Sequence, residues 1–342
     1  MITHFSKLVG NTPLIRLNKL SELSGCEIFG KAEFMNPGNS VKDRAALSII
    51  NDAVSSGALM PGGTIVEGTA GNTGIGLTLI GASMGFSTVI VIPETQTQEK
   101  KDALKNAGAQ LIEVPAMPYS NANNYIRYSE RLAVKLNELL PNGAYWANQF
   151  DNIANKKAHE NTTAPEIYKQ TNENIDAFVC SVGTGGTLSG VATGLRRLKP
   201  NIKIGLADPF GSALFSFFNN GELKSEGSSI SEGIGQGRIT KNLEGLLVDY
   251  SCQVSDTDAL RVLYDLLYEE GMSVGISAGI NMFGALQMAK TLNKGSTIVT
   301  VLCDHGMRYQ SKIFNYDFLK MKNLPIPFWM NKSSSFIPDV RL

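Results

Sequence analysis

Residues 179–187 read VCSVGTGGT, an apolar run that ends in a glycine-rich turn, and a helical pattern follows from Leu188 to Leu198. This order predicts a buried strand, a sharp turn and a helix, which is the repeating unit of an α/β protein. Glycine lets the backbone turn sharply and bring its N–H groups close to a ligand, and the start of a helix adds partial positive charge. The stretch therefore predicts an anion site, most often one for phosphate.

Two other interpretations of this turn stay open at this point. A dinucleotide-binding turn would read G-x-G-x-x-G, but Leu188 stands where the last glycine is required. Asp208 ends the next predicted strand, where a ribose-binding acid could lie, so a nicotinamide-dependent dehydrogenase is weakened without being eliminated. The second interpretation is a turn whose glycines serve only close packing.

The same alternation of strand and helix runs through the rest of the chain. We predict strands at 64–66, 88–92, 110–114, 177–182, 203–207 and 297–302, and helices at 73–84, 99–107, 125–140, 188–198, 257–270 and 280–292. Continuous apolar strands between helices indicate parallel sheets that are covered on both faces. The series divides near residue 150. We therefore expect two doubly wound parallel-sheet domains, 1–150 and 151–330, with a ligand cleft between them, although the first strands could pair with the second domain. A polar tail, 331–342, should be loose.

The composition excludes several classes of partner. The 342 residues include 31 basic and 31 acidic side chains, and this balance gives no general attraction to nucleic acid or anionic lipid. Four cysteines without a CxxC pair fit neither a zinc site nor a disulfide framework, so we expect no metal. No apolar run approaches the roughly 20 residues that span a bilayer, and the N-terminus lacks a signal-peptide pattern. We expect a cytoplasmic protein with a small-molecule ligand.

A second glycine-rich stretch, EGTAGNTGIG at residues 67–76, lies between a predicted strand and a predicted helix of the first half. Its N–H groups and small polar side chains suit a carboxylate. Because α/β proteins bind ligands at the carboxyl ends of parallel strands, the two glycine loops should face one cleft. Two anion sites in one cleft predict a phosphorylated cofactor and a carboxylate substrate.

Lys42 lies in NPGNSVKDR, residues 36–44, after a Pro-Gly-Asn turn and a possible helix N-cap at Ser40. The positive end of a helix disfavours a charged amine, and an uncharged amine is a nucleophile towards aldehydes. Taken alone, a surface lysine paired with Asp43 is the more ordinary interpretation.

Six segments together resemble the cysteine synthases (O-acetylserine sulfhydrylases), which belong to the β-family, or fold type II, of pyridoxal-phosphate enzymes. They are VGNTPL (9–14), NPGNSVKDR (36–44), EGTAGNTGIG (67–76), NQFDN (148–152), GTGGT (183–187) and EGIGQG (232–237). They occur in the order and spacing of the family, and the resemblance extends to about residue 330. It implies an α/β fold of two domains with pyridoxal 5'-phosphate in the cleft between them.

The resemblance implies a role for each matching residue. Lys42 would form the Schiff base with the cofactor, and Asn72 would hydrogen-bond the ring hydroxyl. The cofactor phosphate would be held by Gly183, Thr184, Gly185, Gly186 and Thr187. The carboxylate of the amino-acid substrate would be bound by Thr69, Ala70, Gly71, Thr73 and Gln149. Gly233 would line the entrance.

Two residues depart from the family pattern. A serine often stands at the position of Ala70, so backbone N–H groups would have to replace its hydroxyl. His305, in CDHGMRY (303–309), stands where we expect a serine that hydrogen-bonds the pyridine nitrogen. Either a neutral His305 contacts that nitrogen, or the histidine is structural. We interpret His159, on a predicted helix, as structural.

The activity implied by the resemblance is a β-replacement that converts O-acetylserine and sulfide into L-cysteine, with Lys42 as the base that removes the α-proton. A homodimer is also implied. One alternative is a cystathionine β-synthase-type enzyme that uses homocysteine in place of sulfide. Another is a non-catalytic relative that binds a ligand or a partner, which the departures at Ala70 and His305 motivate.

Overall fold

The computed structural model describes residues 4–330, so the predicted polar tail 331–342 lies outside the described residues. Within that range ten strands form two sheets. The strands are β1 (Leu14–Arg16), β2 (Glu27–Ala32), β3 (Thr64–Gly68), β4 (Ser87–Pro93), β5 (Gln110–Val114), β6 (Ala144–Trp146), β7 (Ala177–Cys180), β8 (Lys203–Pro209), β9 (Tyr250–Val254) and β10 (Thr297–Leu302).

The α-helices of the same range cover these sheets. They are α1 (Asn18–Ser24), α2 (Lys42–Ser55), α3 (Asn72–Ser83), α4 (Gln98–Asn106), α5 (Tyr125–Leu139), α6 (Ala154–Ala158), α7 (Ala164–Gln170), α8 (Gly186–Leu198), α9 (Leu214–Asn220), α10 (Asp256–Glu270), α11 (Ile276–Ala289) and α12 (Tyr316–Met321). None of the described helices is long and apolar enough to cross a membrane.

The two sheets differ in their strand order, but both are built mainly from parallel strands. The larger sheet has the order β1-β2-β10-β7-β8-β9, and the smaller sheet has the order β5-β4-β3-β6. All neighbouring strands are parallel except β1 and β2, which are antiparallel. The prediction of an α/β fold with parallel sheets is therefore confirmed.

Strand β10 shows why the strands read as continuous apolar runs. All six of its residues are buried. It pairs with β2 on one side and with β7 on the other, and α11 packs against it. A strand with helices on both faces has no face for water, so alternation of polar and apolar residues is lost.

The sequence analysis did not predict the strands that are short or that contain both polar and apolar residues. β1 and β2 precede the first predicted strand, yet they join the larger sheet, as the sequence had left open. The predicted strand 177–182 ends earlier, at Cys180, and the predicted helix 280–292 begins earlier, at Ile276. We propose that the chain divides near residue 150, with β1 and β2 as the N-terminal contribution to the second domain.

Helix α2 is tied to the larger sheet by a buried group of ion pairs. Arg44 Nε lies 2.8 Å from Glu33 Oε2, and Arg44 Nη2 lies 2.7 Å from Glu166 Oε2. Lys31 Nζ also contacts Glu166 Oε2, at 2.7 Å. Burial alone would raise the pKa of Glu166, but hydrogen bonds from Arg44 and Lys31 lower it to about 2. These pairs fix the first turn of α2, in which Lys42 lies.

We expect Arg44→Met to lower the free energy of unfolding by about 3–5 kcal/mol, because Glu33 would keep its buried charge without the Arg44 guanidinium that neutralises it. The measurement is urea unfolding. Arg16→Met is the matched control, because Arg16 forms an ion pair with Glu27 in which both side chains are exposed. It should change the unfolding midpoint far less. Equal midpoints for the two variants would contradict this account.

Candidate active site

A cavity of about 730 Å³ opens between the two sheets. Its wall is built from the loops that follow β3, β7 and β10, together with the start of α2 and the start of α11. The carboxyl ends of parallel strands are where α/β folds place their ligands. The cavity is therefore the candidate site on topological grounds alone.

Lys42 lies on the wall of this cavity and also on the wall of a smaller one next to it. It is the first residue of α2, and its N–H donates to Ser40 Oγ at 3.3 Å. The preceding N–H, of Val41, donates to the carbonyl of Cys303 at 2.8 Å. Helix α2 packs against α3 of the smaller sheet, so this bond holds its first turn to the end of β10.

The loop 183–187 borders both cavities, and its glycines are required by close packing. A Cβ on Gly183 would overlap the carbonyl oxygen of Gly233, and one on Gly186 would overlap the Asn155 side chain. Gly185 has a φ of +90°, which favours glycine. Helix α8 begins at Gly186.

Hydrogen bonds from neighbouring segments hold this loop by its carbonyls and hydroxyls. Gln236 donates to the carbonyl of Gly183 at 3.0 Å, and Thr240 donates to the carbonyl of Thr184 at 2.8 Å. Asn155 Nδ2 donates to Thr184 Oγ1 at 2.8 Å. The backbone N–H groups of residues 183–185 donate to no other described residue. They are thus available to an anion next to the positive end of α8.

His159 contacts the end of the same loop. Its Nε2 lies 3.2 Å from Thr187 Oγ1, and its Nδ1 lies 2.9 Å from Thr163 Oγ1. The ring is buried in the π-helical turn His159–Thr163. Burial, and then the charges of Arg44 and Lys42, lower the pKa of His159 well below its usual value. The interpretation of His159 as structural missed this contact.

The loop after β3 supplies the second group of predicted residues. Thr69, Ala70, Gly71, Asn72 and Thr73 all line the large cavity, and Gln149 lines it as well. Thr73 Oγ1 donates to Gln149 Oε1 at 2.5 Å, which joins the loop to the segment after β6. Helix α3 begins at Asn72, so its first N–H groups face the same space.

Glu67 lies directly before this loop, on β3, and it is completely buried. Burial raises the pKa of its carboxyl to about 8, although amide groups of Gln149 and Asn148 oppose this effect. The side chain is therefore mostly uncharged at neutral pH. A protonated carboxyl beneath the loop adds no negative charge to a site that is suited to anions.

The structure places His305 differently from the expected contact with the cofactor ring. His305 Nδ1 accepts a hydrogen bond from the N–H of Met307 at 3.1 Å, and its ring meets Phe34 edge to face. It is not among the residues that line the large cavity, whereas its neighbour Asp304 is. Of the two alternatives for His305, this placement favours the structural one.

The polar residues on the cavity wall that the sequence analysis did not assign to the site include Ser277, Asp304 and Arg308. Ser277 lies in the first turn of α11 within GISAG, residues 275–279. That segment is a third glycine-flanked helix start, so the reasoning used for the other two glycine loops would have found it. Gly233, predicted at the entrance, does line the cavity and has a φ of +73°.

Comparisons of the sequence with a family model and with known proteins indicate the same family. Residues 5–304 match the model of a protein family whose description is "Pyridoxal-phosphate dependent enzyme". The chain is 51% identical to cysteine synthase 1 of Neurospora crassa, over 92% of this chain and 84% of that protein. It is 38% identical to the cysteine synthase of Staphylococcus aureus, over 92% and 98% of the two chains.

Solved structures agree with these sequence relatives. The crystal structure of O-acetylserine dependent cystathionine beta-synthase from Helicobacter pylori is similar with a TM-score of 0.80 and 33% identity, over 91% of this chain and 98% of that chain. The crystal structure of O-ureido-L-serine synthase is similar with a TM-score of 0.82 and 32% identity, over 92% and 95% of the two chains.

The described residues fit pyridoxal phosphate. The free N–H groups of residues 183–185 suit its phosphate. A Cβ at position 183 or 186 would overlap neighbouring protein atoms, so the loop takes this shape only with glycine there. The amine of Lys42 suits its aldehyde, because the lysine borders both cavities. The dehydrogenase interpretation of the glycine turn gives way to a pyridoxal-phosphate enzyme.

We expect Gly183→Ala to weaken cofactor binding about tenfold or more, which is about 1.4 kcal/mol. The new methyl group would push the loop away from the Gly233 carbonyl. The measurement is titration of the apoprotein with pyridoxal phosphate. Gly237→Ala is the matched control, because a Cβ there meets no atom within 4 Å. Unchanged affinity in Gly183→Ala would contradict the assignment of this loop.

We expect Glu67→Gln to reduce the loss of stability that occurs as the pH rises from about 6 to about 8. Glu67 has a folded-state pKa of about 8, above its ordinary value of 4.5, so the folded state holds the proton more tightly. Its contribution therefore favours folding at low pH and is lost as the pH rises, by at most about 1.4 kcal/mol per unit. Urea unfolding at both pH values measures it, and identical slopes in the variant and the parent would contradict it.

Proposed function

This chain belongs to the pyridoxal-phosphate dependent enzyme family, and from that premise we propose that it makes L-cysteine from O-acetylserine and sulfide, with acetate as the second product. The observation that carries the proposal is the place of Lys42 on a cavity between two anion-binding loops. One loop suits a phosphate and the other a carboxylate, and O-acetylserine has the carboxylate that the second loop requires.

We assign the two loops to the two ligands. Gly183, Thr184, Gly185, Gly186 and Thr187 hold the cofactor phosphate through their N–H groups and hydroxyls. Asn72 would hydrogen-bond the ring hydroxyl, and the Ser277 hydroxyl would contact the pyridine nitrogen, which is the role considered above for His305. Ser277 supports this assignment because it is an uncharged hydroxyl on the cavity wall.

The substrate carboxylate binds at the loop after β3. Thr69 offers its hydroxyl and Thr73 its N–H, while the Gly71 N–H donates to Thr69 Oγ1 at 3.3 Å and would have to turn to the ligand. Gln149 is held against Thr73. Ala70 contributes only its N–H, because its methyl group packs with the apolar cluster around Ile90. The missing hydroxyl is thus compensated by the backbone at the start of α3.

Bound pyridoxal phosphate supplies an aldehyde that binds amines and a ring that takes up the electron pair left when the α-proton is removed. Lys42 supplies the base: its free amine accepts the α-proton at Nζ, next to the loop that fixes the substrate. Acetate leaves from the β-carbon, sulfide adds there, and Lys42 returns the proton from Nζ to the α-carbon. The carboxylate loop fixes the direction in which the α-proton points, which sets its distance from Nζ.

The cavity mouth is bridged by charged side chains from both halves of the chain. Glu232 Oε2 lies 2.8 Å from Lys100 Nζ, which belongs to α4. Its other oxygen lies 2.5 Å from Lys312 Nζ. This bridge ties the two halves of the chain together beside the cavity.

One alternative acceptor has support. Homocysteine would give cystathionine, and a cavity of about 730 Å³ has room for an amino-acid thiol. The solved relative from Helicobacter pylori, at 33% identity, is an O-acetylserine dependent cystathionine beta-synthase. Sulfide remains the proposed acceptor, because relatives of higher identity are cysteine synthases. The expected homodimer and cytoplasmic location stay predictions.

The test compares sulfide and homocysteine as acceptors with O-acetylserine as donor. We expect cysteine formation with a kcat/KM at least about tenfold above that of cystathionine formation, a difference of about 1.4 kcal/mol in the barrier. Lys42→Ala is the matched control, and it should abolish both turnover and the visible absorbance of the bound cofactor. A preference for homocysteine would overturn the proposed acceptor, and turnover in Lys42→Ala would overturn the role of Lys42.

A further inference from the structure

Both ends of the Asn72 side-chain amide are held by residues that follow β10. Its Nδ2 donates to Asp304 Oδ2 at 2.6 Å, and its Oδ1 accepts a hydrogen bond from Arg308. All three side chains line the large cavity. Asn72 begins a helix of the smaller sheet, whereas Asp304 and Arg308 follow the central strand of the larger sheet, so these bonds cross the cleft.

These partners allow one orientation of the amide. If the amide were turned over, its oxygen would face the Asp304 carboxylate and its N–H₂ would face the Arg308 guanidinium. Both contacts would be repulsive, because a carboxylate only accepts and a guanidinium only donates. The amide has two N–H bonds and Asp304 takes one of them. The second N–H is therefore left for a group in the cavity.

Asp304 is placed as a fixed acceptor. Its side chain is 1% exposed, and the same Oδ2 also accepts the hydroxyl of Tyr309 at 2.6 Å. Its Oδ1 has no hydrogen-bond partner among residues 4–330. Burial raises the pKa of Asp304, while Tyr309, Asn72, Arg308 and Lys42 oppose that effect. A carboxylate with one unpaired oxygen is costly to bury, which calls for a role beyond packing.

Arg308 connects Asn72 to the turn before Lys42. Besides Asn72, it donates to the carbonyl of Gly38. The N–H of Gly38 donates to Asp43 Oδ2 at 2.5 Å, so the turn is held on both sides. One guanidinium therefore sets the place of Asn72 relative to the segment that carries Lys42.

We propose that Asp304 and Arg308 are positioning residues that fix the Asn72 amide as a hydrogen-bond donor to the ring oxygen of bound pyridoxal phosphate. The inference rests on the proposed cofactor site and not on the identity of the substrates. A donated N–H stabilises the anionic form of that oxygen. The pair therefore lowers the pH at which the bound cofactor loses its proton, and it strengthens cofactor binding.

The experiment uses the holoenzyme without substrate, so that a failure of the proposed reaction leaves its readouts intact. Asp304→Asn removes the charge that selects the amide orientation, and Arg308→Met removes the opposing donor. In each variant we expect an upward shift of about one unit in the pH midpoint of the cofactor absorbance, which is a tenfold change in the equilibrium. We expect the affinity of the apoprotein for pyridoxal phosphate to fall about tenfold.

Tyr309→Phe is the matched control, because it removes a donor to Asp304 without touching Asn72. It should shift the midpoint much less. Arg308→Lys retains the charge and should recover part of the effect of Arg308→Met. If Asp304→Asn fails to fold, as circular dichroism would reveal, Arg308→Met and Arg308→Lys carry the same test.

A double-mutant cycle separates positioning from a purely structural role. Asn72→Ala should shift the midpoint by itself, and Asp304→Asn or Arg308→Met should then add nothing in that background. Additive shifts would overturn the proposal, because the two residues would act without Asn72. An unchanged spectrum in Asn72→Ala would overturn it as well, because the amide would not meet the ring oxygen.

Discussion

The place of Lys42 depends on the buried ion pairs of Arg44, two residues further along the same helical turn. Helix α2 packs with α3 on the smaller sheet, while Glu33 and Glu166 hold Arg44 to segments that pack on the larger one. A buried charge without a partner is expensive, so the helix cannot slide away from either acid. The bond from Val41 to the carbonyl of Cys303 completes this attachment. The nucleophile is thus fixed to both halves of the cleft.

The site recognises anions although the chain has no excess of basic residues. With 31 basic and 31 acidic side chains, selectivity for phosphate and carboxylate has to come from local geometry. Free N–H groups at the starts of α3 and α8 provide it, and Glu67 stays protonated because it is buried. Such donors keep their direction because the backbone is fixed, so little reorganisation is needed when a ligand binds.

The sequence predicted the parts of the site that depend on local backbone patterns. The two glycine loops and Lys42 follow from the alternation of apolar runs, glycines and helix starts, and the structure brings them to one cavity. That Asp304 and not His305 lines the cavity depends on long-range pairing instead. Asp304 pairs with Ser40 and His305 with Val274, so neighbouring residues face different elements. No local pattern shows which of two adjacent side chains turns inward. Strand β2 was missed for the same reason, since its partner β10 lies far along the chain, and the three-residue strand β1 joins the sheet only through β2.

The contact between two glycines joins the cofactor loop to the mouth of the cavity. The backbone of Gly183 lies so close to the carbonyl of Gly233 that no side chain fits between them, and Gly235 donates to the carbonyl of Val182. The two loops are therefore in direct backbone contact. Glu232, next to Gly233, carries the ionic bridge to Lys100 and Lys312. A displacement of the phosphate loop would therefore press on the backbone beside Glu232, and a displacement of that backbone would press on the phosphate loop.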